Sequence, residues 1–100
     1  MPLKLVSVTE DQVILGRNLK EAAEDRGFAA FHAESAEATL AQIDALGRCP
    51  DVMIIDQNLN GTIDGPELAR TMRKRFPGHG PEIIVYTAYD DQKYVREAFR

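Results

Sequence analysis

Short apolar runs alternate along this chain with longer stretches in which apolar side chains recur every three or four positions. That alternation predicts strands joined by helices, the pattern of βαβ units and a parallel sheet. Residues 3–8 (LKLVSV) form the first β-rich run. Leu15, Leu19, Ala22, Ala23 and Arg26 then keep helical spacing as far as Gly27, a stop signal. Residues 28–32 predict a second short strand. Ser35 is a good N-cap, and Ala36, Leu40, Ile43 and Leu46 give a second amphipathic helix ending at Gly47.

The third apolar run, residues 51–56 (DVMIID), is apolar on both faces before it reaches a carboxylate. Such a strand belongs in the middle of a parallel sheet, covered on both sides. The Asn- and Gly-rich residues 57–65 read as a loop, and Pro66 opens a third helix where its missing N–H does no harm. Leu68, Ala69, Met72 and Phe76 make that helix's inner stripe. After the turn PGHGP, residues 82–87 (EIIVYT) predict a fourth strand. Asp90 and Asp91 suit the first turn of a last helix, with Val95, Ala98 and Phe99 facing inward. The expected class is α/β with a doubly wound parallel sheet.

Length and composition narrow the function. One hundred residues build one domain, and the 44% hydrophobic and 28% charged fractions are those of an ordinary globular protein. A net charge of −4 argues against nucleic-acid binding through a broad basic face. The single Cys49 has no partner for an internal disulfide, so a reducing, cytoplasmic setting is expected. No run approaches the ~20 apolar residues that span a bilayer, and no membrane association is expected. His32, at a strand end, and His79, in a turn, read as solvated positions. Arg70, Arg73, Lys74 and Arg75 read mostly as a solvated helix face, and the three tyrosines, Tyr86, Tyr89 and Tyr94, as packing residues.

The chemistry lies at the strand ends. In a doubly wound sheet, ligands bind beyond the carboxyl ends of the strands. The first strand ends in Glu10 and Asp11, the third in Asp56 and the fourth in Thr87. Two like charges ~4 Å apart repel by about 4 kcal/mol at an effective dielectric near 20. Three carboxylates at one edge therefore call for a cation or for a proton. An all-oxygen cluster with room for water suits Mg²⁺, and Mn²⁺ would be tolerated. A strand-end carboxylate beside such an ion can attack phosphorus and form an aspartyl-phosphate. Asp56 is the nucleophile candidate because it ends the buried central strand, while Glu10 and Asp11 are better cast as metal holders. Taken alone, the acidic pair could equally cap the first helix.

The stretches DVMIIDQNLNGTIDGPEL and EIIVYTAYDD resemble the receiver domain of two-component response regulators, the flavodoxin-like (CheY-like) family with strand order 2-1-3-4-5. The resemblance covers residues 1–100 and implies a strand order of 2-1-3-4 here, with the fifth strand absent from this chain and the receiver domain C-terminally incomplete. It places the family's acidic pair on Glu10 and Asp11, its phosphoacceptor on Asp56, and its backbone-carbonyl metal contact on Asn58. The switch hydroxyl falls on Thr87, the small residue that leaves room for phosphate on Ala88, and the loop glycine on Gly65. Asn58 and Tyr89 would border the phosphate and tune its lifetime.

Asn60 stands where many members carry proline, which loosens the loop. The family's phosphate-binding lysine belongs to the fifth strand, and Lys93, in the helical pattern, does not take that role. The implied function is Mg²⁺-dependent acceptance of a phosphoryl group from a histidine kinase or phosphotransfer protein, after which Thr87 swings and a partner reads the shifted surface. Such a domain receives phosphoryl and is not a turnover enzyme. Self-association through the uncovered fourth-strand edge is a further expectation. The competing reading is a receiver-shaped interaction or dimerisation module that is never phosphorylated. A cobalamin-binding domain would need histidine where Asn58 stands, and a haloacid-dehalogenase-like phosphatase a second aspartate there.

Overall fold

The computed structural model describes residues 2–87 and the backbone of Val95 and Arg96. Strand β1 (Leu5–Thr9) leads into helix α1 (Val13–Asp25), then β2 (Ala29–Ala33), α2 (Ala36–Leu46), β3 (Val52–Asp56), α3 (Gly65–Arg75), β4 (Glu82–Tyr86) and a two-residue β5 (Val95–Arg96). The first four strands run parallel in the order β2-β1-β3-β4, as expected.

Local chemistry sets the helix ends. The Ser35 hydroxyl accepts from the Ala38 N–H at 3.0 Å, and Gly47 takes a left-handed conformation (φ 63°) that closes α2 onto the Ile43 and Asp44 carbonyls. Asp64 caps α3 by accepting from the Glu67 N–H at 2.9 Å, and Arg73, Lys74 and Arg75 occupy its last turn, the end that favours cations. Gly65 sits where a side chain cannot. A Cβ there would lie 2.3 Å from the Asp56 carbonyl oxygen, so glycine lets α3 start directly against the end of β3.

One apolar cluster joins Leu5, Phe31, Met53, Ile55, Ile83 and Val85 on the sheet to Ile43 of α2 and Leu68, Ala69 and Met72 of α3. Of the predicted α3 stripe, Leu68, Ala69 and Met72 are buried, while Phe76 caps the helix and packs half-buried against the cluster. The opposite sheet face meets α1, where Val6, Val52 and Ile54 share an open apolar groove of about 250 Å³ with Leu19, Ala23 and Phe28.

Two expectations need correction. Val95 is expected on the inward face of a fourth helix, yet Val95 and Arg96 pair antiparallel with Tyr86 and Val85 of β4. The unpaired N–H and C=O groups along β4 accept any extended segment, and a β-branched valine suits one. The same pairing occupies, at Val85 and Tyr86, part of the edge expected to be open to a second copy. The rest of the expected last helix, with Asp90, Asp91, Lys93, Tyr94, Ala98 and Phe99, lies outside the described residues, as do Ala88 and Tyr89 before it. His32 is the second correction. It is half-buried rather than solvated, with Nε2 2.7 Å from the Glu10 carbonyl oxygen. Its ring fills the space beside Gly16 so tightly that a Cβ there would lie 2.1 Å from Nε2.

Candidate functional site

Register decides which side chains meet. Thr9 pairs with Ile55 across β1 and β3, and Asp56 pairs with Tyr86 across β3 and β4. Glu10 and Asp11 therefore emerge beside Asp56, and Thr87 follows one residue beyond its neighbour. Glu10, Asp11 and Asp56 each offer a carboxylate oxygen within 4.8 Å of the others. Glu10 is fully buried and Asp56 only 4% exposed, while Asp11 is half-buried.

Glu10 and Asp56 are each held by donors. The Gln12 N–H donates to Glu10 Oε2 at 2.9 Å, and the Tyr86 hydroxyl donates to Glu10 Oε1. The Asn58 N–H donates to Asp56 Oδ1 at 3.1 Å, folding the loop back over the end of β3. The Asn58 side chain reaches the other way, donating from Nδ2 to Thr87 Oγ1 at 3.2 Å. Asn58 thus links the carboxylate on β3 to the hydroxyl after β4. Thr87 itself is buried. On the outer side of this loop, Glu37 of α2 accepts from both the Thr62 hydroxyl and its N–H, and those bonds hold the exposed Glu37 carboxyl below its usual range.

The electrostatics are those of a site short of positive charge. Burial pushes the Glu10 carboxyl up to about 7, despite the Tyr86 and Gln12 donors, and the charge of Asp56 adds to the rise. Asp56 is also raised, first by burial and then by Asp11, with the Asn58 N–H opposing. Tyr86 is pushed well above the usual phenol range by burial and by Glu10, so it remains a donor. Two carboxylates that burial drives toward protonation, with a third beside them, would be relieved by one divalent cation among them. The donor set is oxygen only, which fits a hard ion of the Mg²⁺ or Mn²⁺ type and gives a zinc ion no nitrogen or sulfur.

The residues singled out from the sequence thus converge at one edge: Glu10, Asp11, Asp56, Asn58 and Thr87 lie together, and Ala88 lies outside the described residues. Sequence reasoning missed Tyr86, which it treated as packing. The available signal was its place at the last position of a strand directly before Thr87, but only the β3–β4 register turns that place into a contact with the acids. It also missed the Thr9–Thr39 hydroxyl pair (2.6 Å), which ties β1 to α2 just below Glu10.

A family model described as "Response regulator receiver domain" matches residues 6–100. A solved response regulator receiver domain protein from Clostridium thermocellum is similar at 24% identity, with TM-score 0.76 over 89% of this chain and 68% of that one. A sensor protein from a Polaromonas species is 28% identical, with TM-score 0.74 over 88% and 68%. The response regulator protein TrrA from Thermotoga maritima, solved in complex with Mg²⁺ and BeF, is 30% identical, with TM-score 0.73 over 88% and 72%. Against a further similar structure, a fusion carrying a yeast trimeric coiled coil, this chain spans 57% of that chain's length. No curated protein matches the chain. Among the described residues, no helix is long and apolar enough to cross a membrane.

Proposed function

This chain belongs to the response regulator receiver domain family, and on that premise we propose that it accepts a phosphoryl group on Asp56 with a divalent cation, Mg²⁺, held by Glu10, Asp11 and Asp56. The observation that carries the proposal is the gathering of these three carboxylates within 4.8 Å, two of them buried and raised toward protonation. The similar Thermotoga protein, solved with Mg²⁺ and BeF, supports the choice of ion. When bound, the cation supplies positive charge for the phosphoryl oxygens and keeps the carboxylates ionised.

Asp56 is the acceptor. An Asp56 carboxylate oxygen gives its lone pair to phosphorus while the phosphorus–nitrogen bond of a phosphohistidine donor breaks, and the leaving imidazole keeps that electron pair. The donor is a histidine kinase or phosphotransfer protein. The buried end of β3 fixes the Asp56 direction, and the Asn58 N–H holds the carboxylate until the ion and donor arrive. Asn58 would also offer its carbonyl to the ion. By the family resemblance, the small Ala88 that follows Thr87 would leave space for phosphate. Thr87 supplies the response. Its hydroxyl leaves the Asn58 amide for the new negative charge, freeing the loop and shifting the surface that a partner reads. A full reversal from 1:99 to 99:1 needs a preference of about 5.5 kcal/mol for one arrangement. The chain acts as an acceptor and not as a turnover enzyme.

Incubation with acetyl phosphate and Mg²⁺, followed by intact-mass measurement, is the test. One phosphoryl adduct is expected, absent with a chelator and absent in Asp56→Asn. An unmodified wild-type protein overturns the proposal and favours a receiver-shaped interaction module that carries no phosphate.

A further inference from the structure

Tyr86 has no task in the phosphoryl-acceptor reading, yet it touches the acid cluster from a fixed base. Its backbone is doubly anchored: its carbonyl accepts from the Gln57 N–H at 2.6 Å, and it pairs with Val95 across β4 and β5. From there the phenolic hydroxyl crosses above β3 and donates to Glu10 Oε1. Glu10 is thereby gripped on both oxygens, with the Gln12 N–H on Oε2 at 2.9 Å.

That grip matters more for Glu10 than for its neighbours. A glutamate has one more rotatable bond than an aspartate, so freezing its side chain costs more conformational freedom. Asp56, at the end of β3, and Asp11, just beyond β1, project on shorter arms. A carboxylate has about four lone-pair positions, so two donors leave acceptor capacity on both oxygens. A side chain already held needs no further ordering when the ion arrives, and partners that orient a metal-binding group are typically worth 10–100-fold in affinity.

We propose that Tyr86 is a positioning residue for the divalent-cation site, holding the Glu10 carboxylate in its ligating orientation from the far side of β3. This inference rests on the phosphoryl-acceptor reading, since that reading supplies the ion. It goes beyond that reading by giving cation affinity a determinant on β4, directly before the responding Thr87.

The test is Mg²⁺ titration calorimetry on the intact chain at one neutral pH, with wild type, Tyr86→Phe, Glu10→Gln and the double variant. Tyr86→Phe keeps the ring and removes only the hydroxyl. It should weaken Mg²⁺ binding by roughly tenfold. The same change in the Glu10→Gln background should have little further effect, because the group the tyrosine then contacts is a neutral amide and no longer the ion's carboxylate ligand. Thr39→Val, which deletes a different buried hydroxyl, should leave Mg²⁺ affinity near the wild-type value. Thermal melting of each variant shows that it is folded.

Unchanged or tighter Mg²⁺ binding by Tyr86→Phe overturns the inference and leaves the phosphoryl-acceptor reading standing. Equal weakening with and without the Glu10 carboxylate overturns it too, because the hydroxyl would then act through general packing. Wild-type protein that binds no Mg²⁺ overturns both readings.

Discussion

Ile55 and Asp56 are consecutive residues of β3, one with no exposure and the other with 4%, yet burial does opposite things to them. Ile55 points into the layer beneath α2 and α3, where Leu68, Met72 and Ile83 meet it and removal from water is favourable at about 25 cal/mol per Å². Asp56 opens onto the acid edge, where removal from water raises its carboxyl and that of Glu10. The core holds the sheet rigid enough to keep three like charges together, and the edge uses that rigidity for chemistry. Equal burial is thus a gain in one region and a cost in the other, and substitutions in the two should differ in sign.

The largest stability change is expected in the core. Leu68→Ala removes a side chain with no exposure from the centre of the α3 stripe and should lower unfolding free energy by about 2–5 kcal/mol. Urea denaturation reads this directly; a loss below that range would mean that α3 collapses onto the sheet to refill the space.

At the acid edge the sign reverses. In metal-free protein at pH 8, Glu10→Gln should stabilise the fold, by something on the order of 1 kcal/mol. The amide can accept from the Gln12 N–H and donate to the Tyr86 oxygen, so both contacts survive in altered form. A carboxyl whose folded value is raised from 4.5 to about 7 binds more protons folded than unfolded. Its favourable contribution is therefore complete below about 4.5 and is lost as pH rises through 7. Wild-type melting temperature should fall across that window, and the advantage of the variant should grow across the same window. Added Mg²⁺ should raise the wild type at neutral pH and the variant much less. A wild-type melting profile that rises from pH 5 to 8 without metal would contradict the opposite signs.

The smallest effect belongs to the surface and sharpens the contrast. The Arg75–Asp44 pair spans α3 and α2 at 2.6 Å but is well exposed. Asp44→Ala should change stability by no more than about 0.5 kcal/mol and should not alter pH dependence near neutrality. Thermal melts in low and high salt measure it.

The chain's own pattern determined most of the architecture. Short apolar runs, helical spacing, Ser35, Gly47 and Pro66 are local signals, and each acts within a few residues of itself, so strands, helices and most of the α3 stripe were legible. The identities of the edge residues were legible too, since a parallel sheet sends the carboxyl ends of β1, β3 and β4 to one side. Register was not. Nothing local to Tyr86 states that it lies opposite Asp56 with Glu10 within reach, and nothing local to His32 states that a glycine at position 16 leaves room for its ring. The antiparallel pairing of Val95 was equally hidden, because whether a valine ends up extended depends on an unpaired edge that exists only once β4 has joined the sheet. Periodicity reports the environment of a residue through its neighbours along the chain, whereas contacts between strand ends exist only once the sheet has assembled.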